Sequence, residues 1–257
     1  MSVFHAFIFG VVEGITEFLP ISSTGHLILT ARILGFAQTD FIKSFEIAIQ
    51  LGAILSVVVL YWRSFLVNPE VLKRVIAAFI PTAVLGLLFY KIIKKFLLGE
   101  SVVLWALFIG GIFLIVFELW HKETKNDAEE IAYISYPQVF LIGVFQSVAM
   151  IPGVSRAAAT ICGGLFLGVK RKTIVEFSFL LAVPTMLAAT VLDLLKSGGA
   201  FSASEFKFLS VGFFSSFAMG IIAIQFLIRF IQSHRFISFG IYRIILALVF
   251  CLYFKLV

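Results

Sequence analysis

The side chains able to do chemistry lie in two short clusters, each of which interrupts an apolar segment. The first cluster spans 14 residues and holds two carboxylates, three hydroxyls and an imidazole: Glu13, Glu17, Ser22, Ser23, Thr24 and His26. Because Glu13 and Glu17 are four residues apart, a helix places them on one face. An ionisable residue inside a membrane segment is costly, which makes it a functional candidate. The alternative, an interfacial loop with solvated acids and capping hydroxyls, explains one such residue better than six together.

The second cluster is a Pro-Gly turn that leads into a helix rich in small residues. Its polar members and its turn are Pro152, Gly153, Ser155, Arg156 and Thr160. The N–H groups at a helix N-terminus bind anions, and the helix dipole favours negative charge there. Arg156 adds a planar cation that can grip phosphate oxygens in pairs. The alternative is an arginine that reaches the lipid headgroups beside a structural turn.

Together the two clusters suit phosphoryl transfer, which needs positioning and charge neutralisation more than covalent chemistry. We expect Arg156 and the helix N–H groups to hold the phosphates. Further substrate contacts are expected from four hydroxyl side chains: Ser22, Thr24, Ser155 and Thr160. Ser23 is a candidate nucleophile or a residue that positions water. His26 is a candidate general base, or a proton donor to the leaving phosphate oxygen.

Glu13 and Glu17 have two possible roles. Their oxygens could hold a Mg²⁺ or Ca²⁺ ion, or they could orient His26. Other acidic or polar residues within apolar segments, namely Glu46, Gln50, Glu176 and Ser178, could line the same cavity. The spacing alone does not choose between these roles.

The composition predicts an integral membrane protein. Of 257 residues, 61% are hydrophobic and 13% are charged, and the mean hydropathy is +1.11. In a soluble domain about half of the residues are apolar and roughly 25% are charged. The basic residues form short clusters between apolar segments, as loops of membrane proteins do. Since no basic stripe with interleaved aromatics occurs, a nucleic acid is not an expected partner.

Six apolar stretches are long enough to cross a bilayer at about 20 residues each. They are 41–62, 72–90, 102–120, 174–195, 209–231 and 239–256. Two further segments, 3–35 and 138–168, are interrupted by the polar clusters. Non-helical backbone at membrane depth is tolerated where it is buried in protein or lines a polar cavity. The sequence therefore predicts an all-α membrane protein with about six transmembrane helices and two re-entrant helical hairpins.

The chain forms one membrane domain, 1–257, whose halves look related. We expect 1–120 and 138–257 to be repeats joined by the polar linker 121–137. A shift of 132 residues places Pro20 on Pro152 and Ser23 on Ser155, and a shift of 133 places Gly10 on Gly143 and Glu13 on Gln146. Three spans per half is an odd number, so the second half would be inverted. Inverted repeats bring broken helices together near the midplane, so the two clusters are expected to meet.

Orientation rests on a small charge bias. The loops near 63–73, 121–137, 168–173 and 229–238 are expected to share one side, which carries eleven Lys and Arg residues against eight on the other. The bias favours that side as cytoplasmic. Three ionisable residues near span ends, His5, Glu118 and Asp193, are interpreted as solvated at the interface.

The motifs resemble those of a known family. EGITEFLPISSTGHL at 13–27 and PGVSRAAAT at 152–160 are similar to the two signatures of the bacterial undecaprenyl-diphosphate phosphatases. FEIAIQLGAILSVVV at 45–59, EFSFLLAVP at 176–184 and FGIYRIILA near the C-terminus also resemble that family. The second signature departs from the expected SRSGAT, because Ala157 and Ala158 replace the Ser and Gly. We interpret the missing hydroxyl as dispensable.

The resemblance implies a bacterial plasma-membrane hydrolase that converts undecaprenyl diphosphate to undecaprenyl phosphate. Such an enzyme recycles the lipid carrier of cell-wall synthesis and confers bacitracin resistance. The functional residues it implies are Glu13, Glu17, Ser23, His26, Ser155, Arg156 and Thr160. It also implies a divalent cation, a homodimer and a site open to the extracytoplasmic side.

The second hypothesis is a transporter or flippase of an anionic lipid. Inverted repeats with paired re-entrant hairpins are a transport architecture, and fold alone does not decide function. A transporter needs a binding site, but it does not need a nucleophile, a proton donor and two carboxylates beside it. The first cluster therefore favours hydrolysis.

Overall fold

Ten α-helices and two short 3₁₀ helices, Ile131–Tyr133 and Val148–Met150, account for the regular structure in the described part of the chain. The computed structural model describes residues 1–37, 39–96, 99–123, 127–197 and 203–254. The helices are α1 Val3–Thr16, α2 Ser23–Ile33, α3 Asp40–Leu66, α4 Pro69–Phe96, α5 Glu100–Trp120, α6 Tyr136–Ser147, α7 Arg156–Phe166, α8 Arg171–Ser197, α9 Ala203–Phe230 and α10 Ile237–Phe254. Across these ranges no strand occurs, and a single bridge pairs Ala128 with Val169. The all-α prediction is confirmed.

The six predicted spans correspond to α3, α4, α5, α8, α9 and α10. The first five of these are long and apolar enough to cross a membrane, and α10 is a shorter apolar helix. α3 begins within one residue of its predicted start and runs four residues beyond its predicted end. The apolar runs located these helices because, over a whole span, hydropathy is a stronger signal than any local cap.

The two interrupted segments form helical hairpins that enter and leave on one face. In the second hairpin, α6 and α7, the side-chain amide of Gln138 near the start donates to the carbonyl of Leu167 at the end, at 2.7 Å. In the first hairpin, α1 and α2, the rings of His5 and Phe36 lie 5.0 Å apart. α1 has 14 residues, about 21 Å at 1.5 Å per residue, which is too short for a hydrocarbon core of about 30 Å.

Hydrogen bonds place the predicted same-side loops together. The N–H of Ala128 in the linker donates to the carbonyl of Gly168 at 2.9 Å. Arg74, near the start of α4, donates from Nε to the carbonyl of Ile134 at 2.8 Å. α3 crosses once between the first hairpin and this face, so the two hairpins enter from opposite sides. The linker therefore lies on the same side as the loop that follows α7 and the start of α4.

Glu118 belongs to the same face, and its interpretation as a solvated residue is wrong. Only 1% of the residue is exposed. Both carboxylate oxygens pair with the guanidinium of Arg171, and Oε1 also accepts from the N–H of Phe236 at 3.2 Å. This carboxylate therefore ties together the ends of α5, α8 and α10. The side chain of Asp193 lies outside the described part.

The first helix of each hairpin packs against a long helix of the other half. α1 lies against α9 and α6 lies against α4. Both contacts need glycine: a Cβ on Gly10 would lie 2.4 Å from the carbonyl oxygen of Gly212, and one on Gly143 would lie 2.0 Å from that of Ala78. Because each hairpin packs against the other half of the chain, its tip lies in the centre of the molecule.

Candidate active site

The tip of each hairpin contains a serine in a strained conformation. Ser22 and Ser155 have φ of 71° and 69°, a region that non-glycine residues adopt rarely. Each serine caps the helix that follows, with Oγ accepting from the N–H of Gly25 at 3.3 Å and of Ala158 at 3.2 Å. Such strain is kept at functional sites where the surrounding structure imposes it. The backbone thus pairs Ser155 with Ser22, one residue earlier than the Ser23 that the 132-residue shift had predicted.

Ser23 and Arg156 are the first residues of α2 and α7, and both side chains contact Glu17. The caps take the third N–H of each helix. Among the described residues, no intramolecular acceptor is found for the N–H groups of Ser23, Thr24, Arg156 and Ala157. Two helix N-termini with free N–H groups form a binding site for an anion.

Glu17 connects the two clusters. Its Oε2 accepts from the Ser23 hydroxyl at 2.5 Å, and its Oε1 accepts from Nη2 of Arg156 at 2.9 Å. The Glu17 and Arg156 side chains are 4% and 11% exposed, so the ion pair is little screened by solvent. The structure therefore brings a hydroxyl, a carboxylate and a guanidinium into one chain of contacts, and the clusters meet as predicted.

Arg156 is held from its far side by α8. Its Nη1 donates to the carbonyl of Ser178 at 2.7 Å, and the hydroxyls of Ser178 and Thr160 lie 2.6 Å apart. Thr160 also donates to the carbonyl of Arg156 at 2.9 Å, so its hydroxyl supports the arginine from within the protein. Nε of Arg156 is buried and has no acceptor in the described structure. An unpaired buried donor is costly, and a phosphate oxygen would satisfy it.

His26 faces away from Ser23. Its Nδ1 lies 2.7 Å from the carbonyl of Ser22 and its Nε2 lies 2.8 Å from the hydroxyl of Tyr242 on α10. Since a carbonyl only accepts, Nδ1 carries a proton, and Nε2 of the neutral ring is the acceptor. Glu17, rather than His26, contacts the Ser23 hydroxyl. The structure thus gives the contact with the Ser23 hydroxyl to Glu17, whereas the sequence had left His26 as the candidate base for that hydroxyl.

Glu13 is fully buried one turn before Glu17. Neither of its oxygens has a hydrogen-bond donor in the described structure, and its charged neighbours are Glu17, Glu46 and Arg156. No group of three His, Cys, Asp or Glu side chains able to hold a metal occurs in the described ranges. Mg²⁺ is commonly bound by only one or two carboxylates together with substrate phosphates. The donor-free Glu13 beside Glu17 fits such an ion.

Comparisons with known proteins identify the chain's relatives. A family model described as bacitracin resistance protein BacA matches residues 6–249. The undecaprenyl-diphosphatase of Aquifex aeolicus is 52% identical over 257 residues, covering 99% of each chain. Those of Sulfurihydrogenibium and Wolinella succinogenes are 52% and 47% identical, covering 99% and 100% of this chain and the whole of each relative. This chain belongs to the BacA family.

Two candidate residues of this BacA-family chain stand apart from the contacts just described. Thr24 is exposed, and its predicted substrate contact stays a prediction. Ala157, where the family pattern has a hydroxyl, is fully buried. A methyl group suits that position because it faces the protein core.

Sequence reasoning missed Tyr242 as a member of the site. It is 216 residues from His26 and has only Arg243 beside it in an otherwise apolar stretch, so no cluster marked it. The stretch FGIYRIILA contains a tyrosine and an arginine where a membrane span would have apolar residues. Those two polar residues in an apolar span were the signal from which Tyr242 could have been found.

We expect Tyr242→Phe to lower phosphate release by about 5-fold while the protein stays folded. The substitution removes the hydroxyl that contacts Nε2 of His26, and a hydrogen bond of this kind contributes about 1 kcal/mol, which is about fivefold in rate. Initial rates against pH would be compared with those of Tyr253→Phe, a tyrosine of the same helix that is 78% exposed. Identical profiles for Tyr242→Phe and wild type would remove Tyr242 from the site.

Proposed function

We propose that this protein hydrolyses undecaprenyl diphosphate to undecaprenyl phosphate and inorganic phosphate. The observation that carries the proposal is the contact chain from Ser23 through Glu17 to Arg156, set between two helix N-termini. The unpaired Nε of Arg156 supports a phosphate ligand. The names of the relatives, which match over the whole chain, support the diphosphate lipid as substrate.

In the proposed reaction, Arg156 and the free N–H groups hold the terminal phosphate. Glu17 accepts the proton of Ser23, whose oxygen attacks the terminal phosphorus. The bond from that phosphorus to the bridging oxygen breaks, and undecaprenyl phosphate leaves. Glu17 then releases its proton to solvent. Water attacks the phosphorus of the phosphoserine and gives a proton to Glu17, the bond from that phosphorus to the serine oxygen breaks, and Glu17 returns the proton to the serine oxygen as phosphate leaves. If Ser23 instead positions a water, the same water attacks directly and no phosphoserine forms.

His26 is proposed to act on the leaving group. Its contact with Ser22 fixes the ring, and Nε2 points toward Tyr242 rather than Ser23. When the neutral ring takes up a second proton from solvent, at Nε2, that N–H can donate to the bridging oxygen as the bond to it breaks, because a general acid neutralises the developing charge. Orientation by a backbone carbonyl is a common way to set which nitrogen reacts.

A divalent cation, Mg²⁺ or Ca²⁺, is proposed on Glu13 and Glu17. Bound there, it would neutralise charge on the phosphate groups. The support is the pair of donor-free oxygens on Glu13, adjacent to a second carboxylate. The single guanidinium of Arg156 leaves the pair of carboxylates with an excess negative charge.

Glu13→Gln is expected to weaken cation binding. A ligand that binds only the folded state raises Tm, so wild type should gain stability as Mg²⁺ or Ca²⁺ is added, and the variant should need about 10-fold more cation or show no gain. Thermal unfolding in detergent with increasing cation measures this independently of activity. Glu100→Gln, a half-buried carboxylate paired with Arg32, is the control. Equal cation-dependent Tm shifts in Glu13→Gln and wild type would exclude Glu13 as a ligand.

The multi-pass helices place the protein in a membrane, and we propose the bacterial plasma membrane. There it would recycle the lipid carrier of cell-wall synthesis, confer bacitracin resistance, act as a homodimer and open its site to the extracytoplasmic side. The support is the named activity of its relatives, together with the family's description.

The experiment that tests the function is phosphate release by the purified protein in detergent. Undecaprenyl diphosphate would be supplied with Mg²⁺ or Ca²⁺, then with a chelator, and the lipid product identified by mass. Stoichiometric phosphate and undecaprenyl phosphate, lost on chelation, are expected. No release from folded protein with any cation or lipid length would overturn hydrolysis, and reconstituted vesicles would then test transport of the lipid.

A further inference from the structure

Arg243, on α10, is a buried charge that the proposed reaction does not use. It is 0% exposed and is the largest fully buried side chain in the described structure. None of the ion pairs found in the described ranges includes it. It also lines an apolar groove of about 950 Å³ beside α5 and α7. An unpaired charge in such surroundings is strongly disfavoured unless hydrogen bonds compensate it.

Five carbonyl oxygens supply that compensation. On α5, Nε donates to Leu107 at 3.4 Å and Nη2 donates to Ala106 at 2.9 Å. At the tip of the first hairpin, Nη1 donates to Pro20 at 3.3 Å. At the tip of the second, Nη1 donates to Val154 at 3.3 Å and Nη2 to Gly153 at 2.9 Å. A guanidinium has five N–H donors, so every donor of Arg243 is occupied.

These contacts join both tips to one rigid point. Pro20 lies between Glu17 and Ser23, while Gly153 and Val154 immediately precede Ser155 and Arg156. The carbonyls of such loops have no helical partner and need a donor. Arg243 supplies donors to both loops from a third element and anchors them to α5. Because no N–H remains free, it cannot also bind a phosphate.

Gly110 on α5 makes the approach possible. A Cβ at this position would lie 2.2 Å from Nη2 and 2.9 Å from Cζ of Arg243. The guanidinium cannot move aside without losing the carbonyls of Pro20, Gly153 and Val154, for which no other donor is found in the described structure. A larger residue at Gly110 would therefore disturb the Arg243 contacts from the α5 side.

We propose that Arg243 is a positioning residue that holds the two half-sites in register, so that Ser23 and Arg156 face one phosphate. The inference rests on the proposed hydrolysis but concerns a residue that does not touch the substrate. Each tip keeps its own phosphate contacts when Arg243 is removed, whereas their alignment for attack is lost. The loss should therefore fall on kcat more than on KM.

The kinetic test compares Arg243→Gln, Arg243→Lys and Gly110→Ala with wild type, each normalised to folded, monodisperse protein. A misplacement of about 1 Å can cost about 100-fold in rate, and we expect that loss of kcat in Arg243→Gln with KM changed less than threefold. Lysine has three donors for the five carbonyls and should give an intermediate loss. Gly99→Ala at the N-cap of the same helix, where a Cβ meets nothing within 4 Å, is the control.

A direct readout of register separates positioning from a general loss of stability. Nitroxide labels on cysteines at Ile33 and Phe166, exposed residues on the second helix of each hairpin, would be placed in a chain with Cys162 and Cys251 replaced by alanine. Pulsed electron resonance should give one narrow distance in the parent and a shifted or broader one in Arg243→Lys and Gly110→Ala. Unchanged distances with unchanged kcat in these two variants would overturn the proposal, even if Arg243→Gln fails to fold. An inactive parent would count against the hydrolysis instead.

Discussion

Arg156→Ala is expected to lower kcat/KM for undecaprenyl diphosphate by about 10³–10⁵-fold, the range found for arginines that stabilise phosphoryl-transfer transition states. Arg156 is the cation at the start of α7, and its unpaired Nε is the donor available to a phosphate oxygen. The measurement is phosphate release at subsaturating substrate. Because the change also leaves Glu17 as a buried carboxylate without its partner, a lower Tm is expected as well.

Arg156→Lys separates the two effects. Lysine keeps a positive charge beside Glu17 but lacks the planar fork, so stability should recover while activity stays about 100-fold below wild type. Arg32→Ala is the matched control, because its exposed pair with Glu100 contributes little. Near wild-type activity in Arg156→Lys would show that Arg156 supplies only charge, and wild-type activity in Arg156→Ala would remove it from the site.

The sequence predicted the parts of the site that lie close together along the chain. Glu13, Glu17, Ser23 and His26 fall within 14 residues, so their grouping needed no tertiary information. The contact between Glu17 and Arg156 spans 139 residues and was reached only through the inverted-repeat hypothesis. That hypothesis drew on the two breaks in apolar segments, which are strong signals because broken backbone in a membrane needs a protein environment.

Isolated polar residues in apolar helices could not be interpreted in the same way. Glu118 near the end of α5 has the same pattern whether it is solvated or buried, and its partner Arg171 is 53 residues away. Tyr242 and Arg243 likewise depend on carbonyls and a ring from distant segments. Backbone acceptors leave no mark in a sequence, so the donors that they satisfy can be found only in the folded structure.

The contact between Ser23 and Glu17 gives the second large prediction. A carboxylate that accepts the serine proton acts together with that serine, so Glu17→Gln and Ser23→Ala should each lower kcat by about 10²–10⁴-fold. The double variant should be no slower than the slower single variant, because residues that act as one unit are strongly non-additive. Glutamine keeps the size of Glu17 and can still accept from Ser23, so the fold should survive.

A trapping experiment decides between the two roles of Ser23, nucleophile or residue that positions water. If Ser23 is the nucleophile, rapid quenching with labelled diphosphate should trap phosphate on the wild-type protein and none on Ser23→Ala, and a burst should precede steady turnover. If it positions water, no label is trapped, and Ser23→Ala loses less because the water remains next to Glu17.

Additive losses in the double variant would mean that Glu17 acts mainly by holding Arg156, since that contact uses Oε1 while Ser23 uses Oε2. The two oxygens of Glu17 would then serve separate tasks: Oε2 contacts Ser23, and Oε1 positions Arg156.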